Sequence, residues 1–258
     1  QIVNNKQIPG TTYRTSRCDA NGDGRDDIIL AKVVKNGTYY RLQELRVLLS
    51  STADGSDFNT LTFGAPNNGQ NDIVSPATFN YITCGDFDGD GKTDVLVCLS
   101  NGNSYSLFLL SPEGANATWQ AVIPDQDIYT NTFISARYLA NMDFDGDGTD
   151  EILATPGSSS IQQTARIFRI RTNAQQRFLE TSYENGGFPS NGHEVHIGDF
   201  NGDGKSDLLT RYNTNNDWNI AYSNGIDFHS IPISLGTYVS NSDPLVIGDY
   251  NGDGRSDI

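Results

Sequence analysis

The sequence is short of cations. Its 258 residues hold 17 Lys and Arg against 32 Asp and Glu, a formal net charge of −15 with a pI near 4.4. A nucleic-acid partner needs a basic patch to meet its phosphates, and the chain supplies none, so that class of partner is excluded. An anionic membrane surface is excluded on the same ground. Cysteine is scarce as well. Cys18, Cys84 and Cys98 are an odd number, which rules out a disulfide framework and leaves at least one thiol unpaired within the chain. Cys84 and Cys98 flank one loop and could meet diagonally across a hairpin. Cys18 has no evident partner, and small core side chains are the expected role. No apolar run approaches the roughly 18 residues of a membrane span, so no membrane insertion is expected. There is no initiator Met and no signal peptide. Gln1 and Ile258 read as cut points in a longer protein, so a missing export signal excludes nothing.

The equipment of catalysis is also thin. His193-Glu-Val-His196 has i, i+3 spacing, and on the strand expected there the two imidazoles point to opposite faces. The helical metalloprotease motif needs i, i+4. His229 stands alone and reads as a surface or strand residue. No basic groups surround a cysteine to activate it. Tyr39, Tyr40, Trp119, Tyr183 and Trp218 are expected to pack between neighbouring sheets rather than to form a sugar-stacking platform. Asn36-Gly-Thr38 and Asn116-Ala-Thr118 fit the glycosylation sequon. The chain is therefore expected not to be an enzyme.

Against these shortages stand 26 Gly, 12 Tyr and 12 Phe, a composition of frequent tight turns with enough aromatic bulk for a core. One nine-residue pattern recurs five times, over residues 19–27, 86–94, 143–151, 199–207 and 249–257. Successive starts lie 67, 57, 56 and 50 residues apart, a spacing that suits a four-stranded unit with variable loops.

The chemistry of the pattern is specific. Oxygen side chains stand at positions one, three and five: Asp19, Asn21 and Asp23; Asp86, Asp88 and Asp90; Asp143, Asp145 and Asp147; Asp199, Asn201 and Asp203; Asp249, Asn251 and Asp253. They can converge on one hard cation if the backbone curls tightly, and glycines at positions four and six permit that curl. Position seven varies (Arg25, Lys92, Thr149, Lys205, Arg255), as expected if only its carbonyl is a ligand. Position nine is always acidic (Asp27, Asp94, Glu151, Asp207, Asp257) and closes the shell. An all-oxygen set rich in carboxylates selects Ca²⁺, one ion per loop and up to five. An EF-hand would need a Glu at position twelve. Here Leu30, Val97, Ala154 and Thr210 occupy it, inside apolar runs that read as strands. The runs Phe79–Cys84, Glu194–Ile197 and Pro244–Ile247 read as strands before the loops, so each loop is expected to turn a β-hairpin. Nineteen of the 32 acidic residues lie in the five loops, and five Ca²⁺ would take the net charge from −15 to −5.

The pattern resembles the FG-GAP and VCBS repeats of integrin-α-like propellers. Phe63-Gly-Ala-Pro66, Leu153-Ala-Thr-Pro-Gly157, and the Trp218–Gly225 stretch followed by Phe228 add to the likeness, the last being similar to bacterial VCBS blades, including those of Rhs and SpvB-type toxins. The first copy departs most, with Ala20 where the others carry Phe or Tyr. The resemblance implies an all-β propeller of four-stranded blades, with each metal loop joining a blade's innermost strand to the next. Residues 11–17 would be the first inner strand and 244–248 the fifth, giving a single partial propeller over 1–258 with four complete blades and part of another. The function so implied is a calcium-stiffened, non-catalytic scaffold or adhesion module of a larger secreted or cell-surface protein, presenting its loops to a protein or glycan ligand beside other domains of the same chain. Two alternatives remain open: the propeller shell of an Rhs or SpvB-type toxin, and the propeller of a polysaccharide lyase or other carbohydrate-active enzyme.

Overall fold

The computed structural model describes residues 11–36, 39–51, 57–65, 81–100, 105–112, 117–123, 136–156, 165–172, 177–185, 193–212, 217–234 and 245–258. They form sixteen strands, with no helix among the described residues. The first four are β1 (Thr11–Cys18), β2 (Asp27–Asn36), β3 (Tyr39–Ser50) and β4 (Phe58–Gly64). Then come β5 (Tyr81–Gly85), β6 (Asp94–Ser100), β7 (Tyr105–Leu110) and β8 (Gln120–Ile123). The third group is β9 (Ala136–Met142), β10 (Glu151–Pro156), β11 (Ala165–Thr172) and β12 (Arg177–Asn185). The fourth is β13 (His193–Gly198), β14 (Asp207–Tyr212), β15 (Asp217–Ser223) and β16 (Phe228–Ile233). Within each group of four, neighbours in sequence are neighbours in the sheet and run antiparallel, the simplest outcome of short turns between extended runs.

The acidic pattern sits where the sequence places it, between the first and second strand of each group. The pairs Cys18↔Asp27, Gly85↔Asp94, Met142↔Glu151 and Gly198↔Asp207 close the four hairpins. Around the fifth copy the only pairing among the described residues is the bridge Gly248↔Asp257. Leu245–Ile247, expected as a strand, form no ladder among the described residues.

The chain divides into two compact units. One comprises Gln1–Ile134 and Ile170–Leu179, the other Ser135–Arg169 and Glu180–Ile258. In the first, Ile29, Ala31 and Val33 alternate inward along β2 and meet Leu45, Val47, Phe63, Val95 and Val97 in one cluster. The same unit contains Arg177 and Phe178, which pair in parallel with Val122 and Ile123 of β8. In the second unit Leu208 and Leu209, adjacent on β14, point to opposite faces as strand geometry requires. Leu208 joins Met142, Phe144, Leu153 and Val195, while Leu209 joins Trp218 and Ile220 with Leu245 and Ile247 packed against them. A central strand buried on both faces explains why its sequence reads Leu-Leu-Thr rather than as an apolar-polar alternation.

Candidate metal centres in the hairpin loops

The ten glycines at positions four and six all have φ between +72° and +85°, a region that side-chain-bearing residues avoid. The curl they permit turns a row of backbone N–H groups onto the first acid. Asp86 accepts from Gly89 (2.8 Å) and Asp90 (3.1 Å) on one oxygen and from Gly91 (2.8 Å) on the other. Asp199 and Asp249 repeat the scheme with Gly202, Asp203 and Gly204 and with Gly252, Asp253 and Gly254. Asp19 accepts from Asp23 and Gly24, and Asp143 from Gly146 and Gly148.

The middle residues lock in turn. Amide oxygens of Asn21, Asn201 and Asn251 accept the N–H of Asp23, Asp203 and Asp253 at 3.0, 2.8 and 2.8 Å. One oxygen of each fifth-position Asp accepts the N–H of position seven, at 2.9–3.0 Å in all five loops. A carboxylate or amide oxygen has more than one lone-pair direction, so these bonds brace the oxygens and leave each able to face a cation. In the second loop Asp86, Asp88 and Asp90 bring ligand atoms within 4.8 Å of one another, and in the third Asp143, Asp145 and Glu151 do so. In the first, fourth and fifth loops the amides of Asn21, Asn201 and Asn251 replace the middle carboxylate. The donor set is oxygen throughout, as a hard cation requires.

Position seven is more than a source of a carbonyl. Arg25 Nη1 lies 3.6 Å from Asp23 Oδ2, and Lys205 Nζ lies 3.3 Å from Asp203 Oδ2. In the first four loops position nine is buried, and its oxygens tie the loop to its surroundings. Asp27, fully buried, accepts from Ala20 N–H (2.9 Å) and from Ser50 N–H (2.7 Å) at the end of β3. Asp207 does the same with Phe200 (3.0 Å) and Ser223 (2.8 Å) at the end of β15. Ser111 donates its hydroxyl to Asp94, and Asp257 accepts from Tyr250.

The two ends of the pattern differ electrostatically. The N–H of Gly254, helped by those of Gly252 and Asp253, holds the Asp249 carboxyl below its ordinary range. Burial pushes Asp207 up to about 6, with the like charges of Asp203 and Asp199 adding to it against the N–H groups of Ser223 and Phe200. Burial raises Asp27 in the same way. Carboxylates at this density without a counter-charge cost stability, which a bound cation offsets.

Successive loops also touch. Ser206 N–H donates to the Asp143 carbonyl at 2.7 Å while its hydroxyl accepts the Asp143 N–H at 3.1 Å. Ser256 N–H donates to the Asp199 carbonyl at 2.6 Å. In these two pairs the residue at position eight of one loop thus grips position one of the loop before it, a role that composition gave no sign of.

The third loop differs from the others. Arg169 of β11, almost wholly buried, brings its guanidinium among the acids: Nη2 lies 2.8 Å from Asp145 Oδ2, Nη1 lies 3.1 Å from Asp147 Oδ2, and Nε donates to Glu151 Oε1 at 2.6 Å. Nη2 also pairs with Glu151. Oε2 of Glu151 keeps the place of the ninth-position acid by accepting Phe144 N–H at 2.8 Å. Arg25 and Lys205 each reach one carboxylate of their own loop, whereas in the third loop a buried guanidinium from another strand meets three.

The cysteine expectation needs correcting. Cys18 bonds Cys84, with Cα atoms 6.0 Å apart, and Cys98 is the free, buried thiol. Cys84 and Cys98 sit on adjacent strands offset by the register Tyr81↔Cys98, whereas the ends of β1 and β5 meet. Burial pushes the Cys98 thiol up to about 12, so it is inert. His193 and His196 both lie on β13, three residues apart, and His229 is exposed on β16. Trp218 is buried with Arg211 stacked 4.9 Å over its ring, and the Trp119 indole donates to the Gly64 carbonyl at 2.7 Å. Ala20, the smallest second-position residue, is buried, while Phe144 fills the same position with its ring 5.1 Å from that of Phe228. Gly37, Thr38, Pro66, Asn116 and Gly157 lie outside the described residues, as do the side chains of Tyr39, Tyr40 and Tyr183.

Four-stranded antiparallel units, each with an oxygen-lined hairpin loop in the same place, define a repeat protein of propeller-like all-β architecture. The chain belongs to the FG-GAP-like repeat family, which it matches over residues 19–97, 143–210 and 200–258. Among solved structures it is similar to the rhamnogalacturonan lyase YesW, with 15% identity and a TM-score of 0.47 over 84% of this chain and 43% of the lyase. The chain thus spans less than half the length of that enzyme. No curated protein sequence matches it.

Proposed function

We propose that the chain is a calcium-stiffened, non-catalytic propeller module of a larger secreted or cell-surface protein, presenting its loops to a protein or glycan partner. The observation that carries this reading is the bracing of the loops. In every copy backbone N–H groups hold the oxygens of positions one and five, which pre-positions those oxygens for a cation. Extracellular modules of this chemistry bind Ca²⁺ with dissociation constants of about 10⁻⁴–10⁻³ M, so such loops fill outside cells and stay empty in cytosol. The Cys18–Cys84 bridge supports the same compartment, since disulfides persist where the surroundings are oxidising. The ions are staples in this reading: they neutralise carboxylates and fix the surface on which a ligand would land.

Thermal unfolding in millimolar Ca²⁺, millimolar Mg²⁺ and excess chelator tests it. Binding to the native state alone raises the midpoint. The expected result is a rise with calcium that magnesium does not reproduce, because Mg²⁺ demands tighter octahedral geometry and dehydrates reluctantly. Identical midpoints in calcium and chelator would make the loops plain turns and remove the ground for the scaffold reading.

A further inference from the structure

We propose that Arg169 is the resident cation of the third loop, so that this loop stays closed without a divalent ion while the other four depend on one. The proposal rests on the calcium reading of those four loops and concerns how many ions the chain takes.

Three departures from the repeat coincide here. Position seven is Thr149, whereas the other four copies carry Arg25, Lys92, Lys205 and Arg255. Position nine is Glu151, whereas the others carry Asp. One step beyond the pair Ile152↔Phe168, Arg169 stands opposite that glutamate, where the corresponding residues of the other groups of four strands are Leu49, Ser111 and Tyr222. Each change suits the others. The extra methylene of Glu151 lets one oxygen keep the Phe144 N–H while the second reaches the guanidinium. Arg169 then spans Asp145 at 2.8 Å and Asp147 at 3.1 Å with its two terminal nitrogens. A planar fork of five N–H donors meets three carboxylates at once, which a lysine ammonium could not do with the same geometry. Both Arg169 and Glu151 are buried, so an entering ion would have to expel a guanidinium already paired and desolvated, leaving it without its partners.

The experiment counts bound calcium by equilibrium dialysis of the 258-residue protein against radiolabelled, saturating Ca²⁺. The expected count is four ions in the wild type, five in Arg169→Gln and three in Asp90→Asn. Asp147→Asn, which removes the charge of one of the three carboxylates around the guanidinium and keeps an oxygen for the Thr149 N–H, keeps four. That last variant decides the matter if Arg169→Gln does not fold. Five ions in the wild type, or loss of one ion in Asp147→Asn, overturns the role of Arg169 and leaves the calcium reading standing. No bound calcium in any form overturns both.

Discussion

At the scale of single residues, the ninth position and the fifth have different work, and substitution separates them. Asp207 is buried and accepts two backbone N–H groups. Replacing it by Ala strands both donors away from water, at a cost of roughly 2–4 kcal/mol that calcium does not restore. Asp203 sits at the loop surface with Lys205 beside it, and Asp203→Asn keeps an oxygen for the Lys205 N–H. It should leave chelator-treated protein within about 0.5 kcal/mol of wild type and lose one ion's share of the calcium effect. Urea unfolding of both variants, with and without calcium, checks the contrast; equal losses in chelator would mean that position nine is no anchor. The glycines act through the backbone alone. Gly204 has φ +82° with nothing within 4 Å of an added Cβ, so Gly204→Ala should cost only the left-handed penalty, about 1–2 kcal/mol. At Gly202 the stem of Arg255 approaches such a Cβ to 3.1 Å, and the same substitution there must also displace that side chain.

At the scale of elements, the hairpins and their loops were legible in the sequence because their causes are local. Alternating oxygens, paired glycines and flanking β-branched runs determine Asp86–Asp94 and Asp199–Asp207 without help from the rest of the chain. What was not legible depends on which strands meet. Cys18 finds Cys84 only because β1 and β5 lie side by side, and no spacing rule announces a bridge across 66 residues. Arg169 is an ordinary strand arginine until the β10–β11 register sets it opposite Glu151. The serines that anchor position nine could have been found, since Ser50, Ser111 and Ser223 each close the third strand of their sheet. The disulfide carries its own test. Closing a loop of that length stabilises by about 4 kcal/mol through the unfolded chain, so Cys84→Ser should lower stability by roughly 2–4 kcal/mol. The loss should appear in calcium and in chelator alike, because the bridge joins strand ends and not loop oxygens. Guanidinium unfolding in both conditions reads it, and a loss confined to the calcium-loaded protein would couple Cys18 and its neighbour Asp19 instead.

At the scale of the whole molecule, the charge of −15 and the acidic loops are one fact seen twice, since nineteen of the 32 acids lie in the five patterns. Two kinds of cation can relieve them, and they act over different ranges. Monovalent salt screens beyond a Debye length of about 10 Å at 0.1 M and does little for carboxylates packed closer than that. In the proposed reading calcium enters the loops and removes charge at its source, and four ions would bring −15 to −7. In chelator, therefore, added sodium chloride should raise the unfolding midpoint steadily by weakening repulsion among all the loops. In saturating calcium the same salt should raise it much less, because little repulsion remains to be screened. Differential scanning calorimetry across a salt series in both conditions separates the two effects. Parallel slopes would mean that calcium leaves the loop charges as they were, and the acidic excess would then be a solvated surface rather than a set of cation sites.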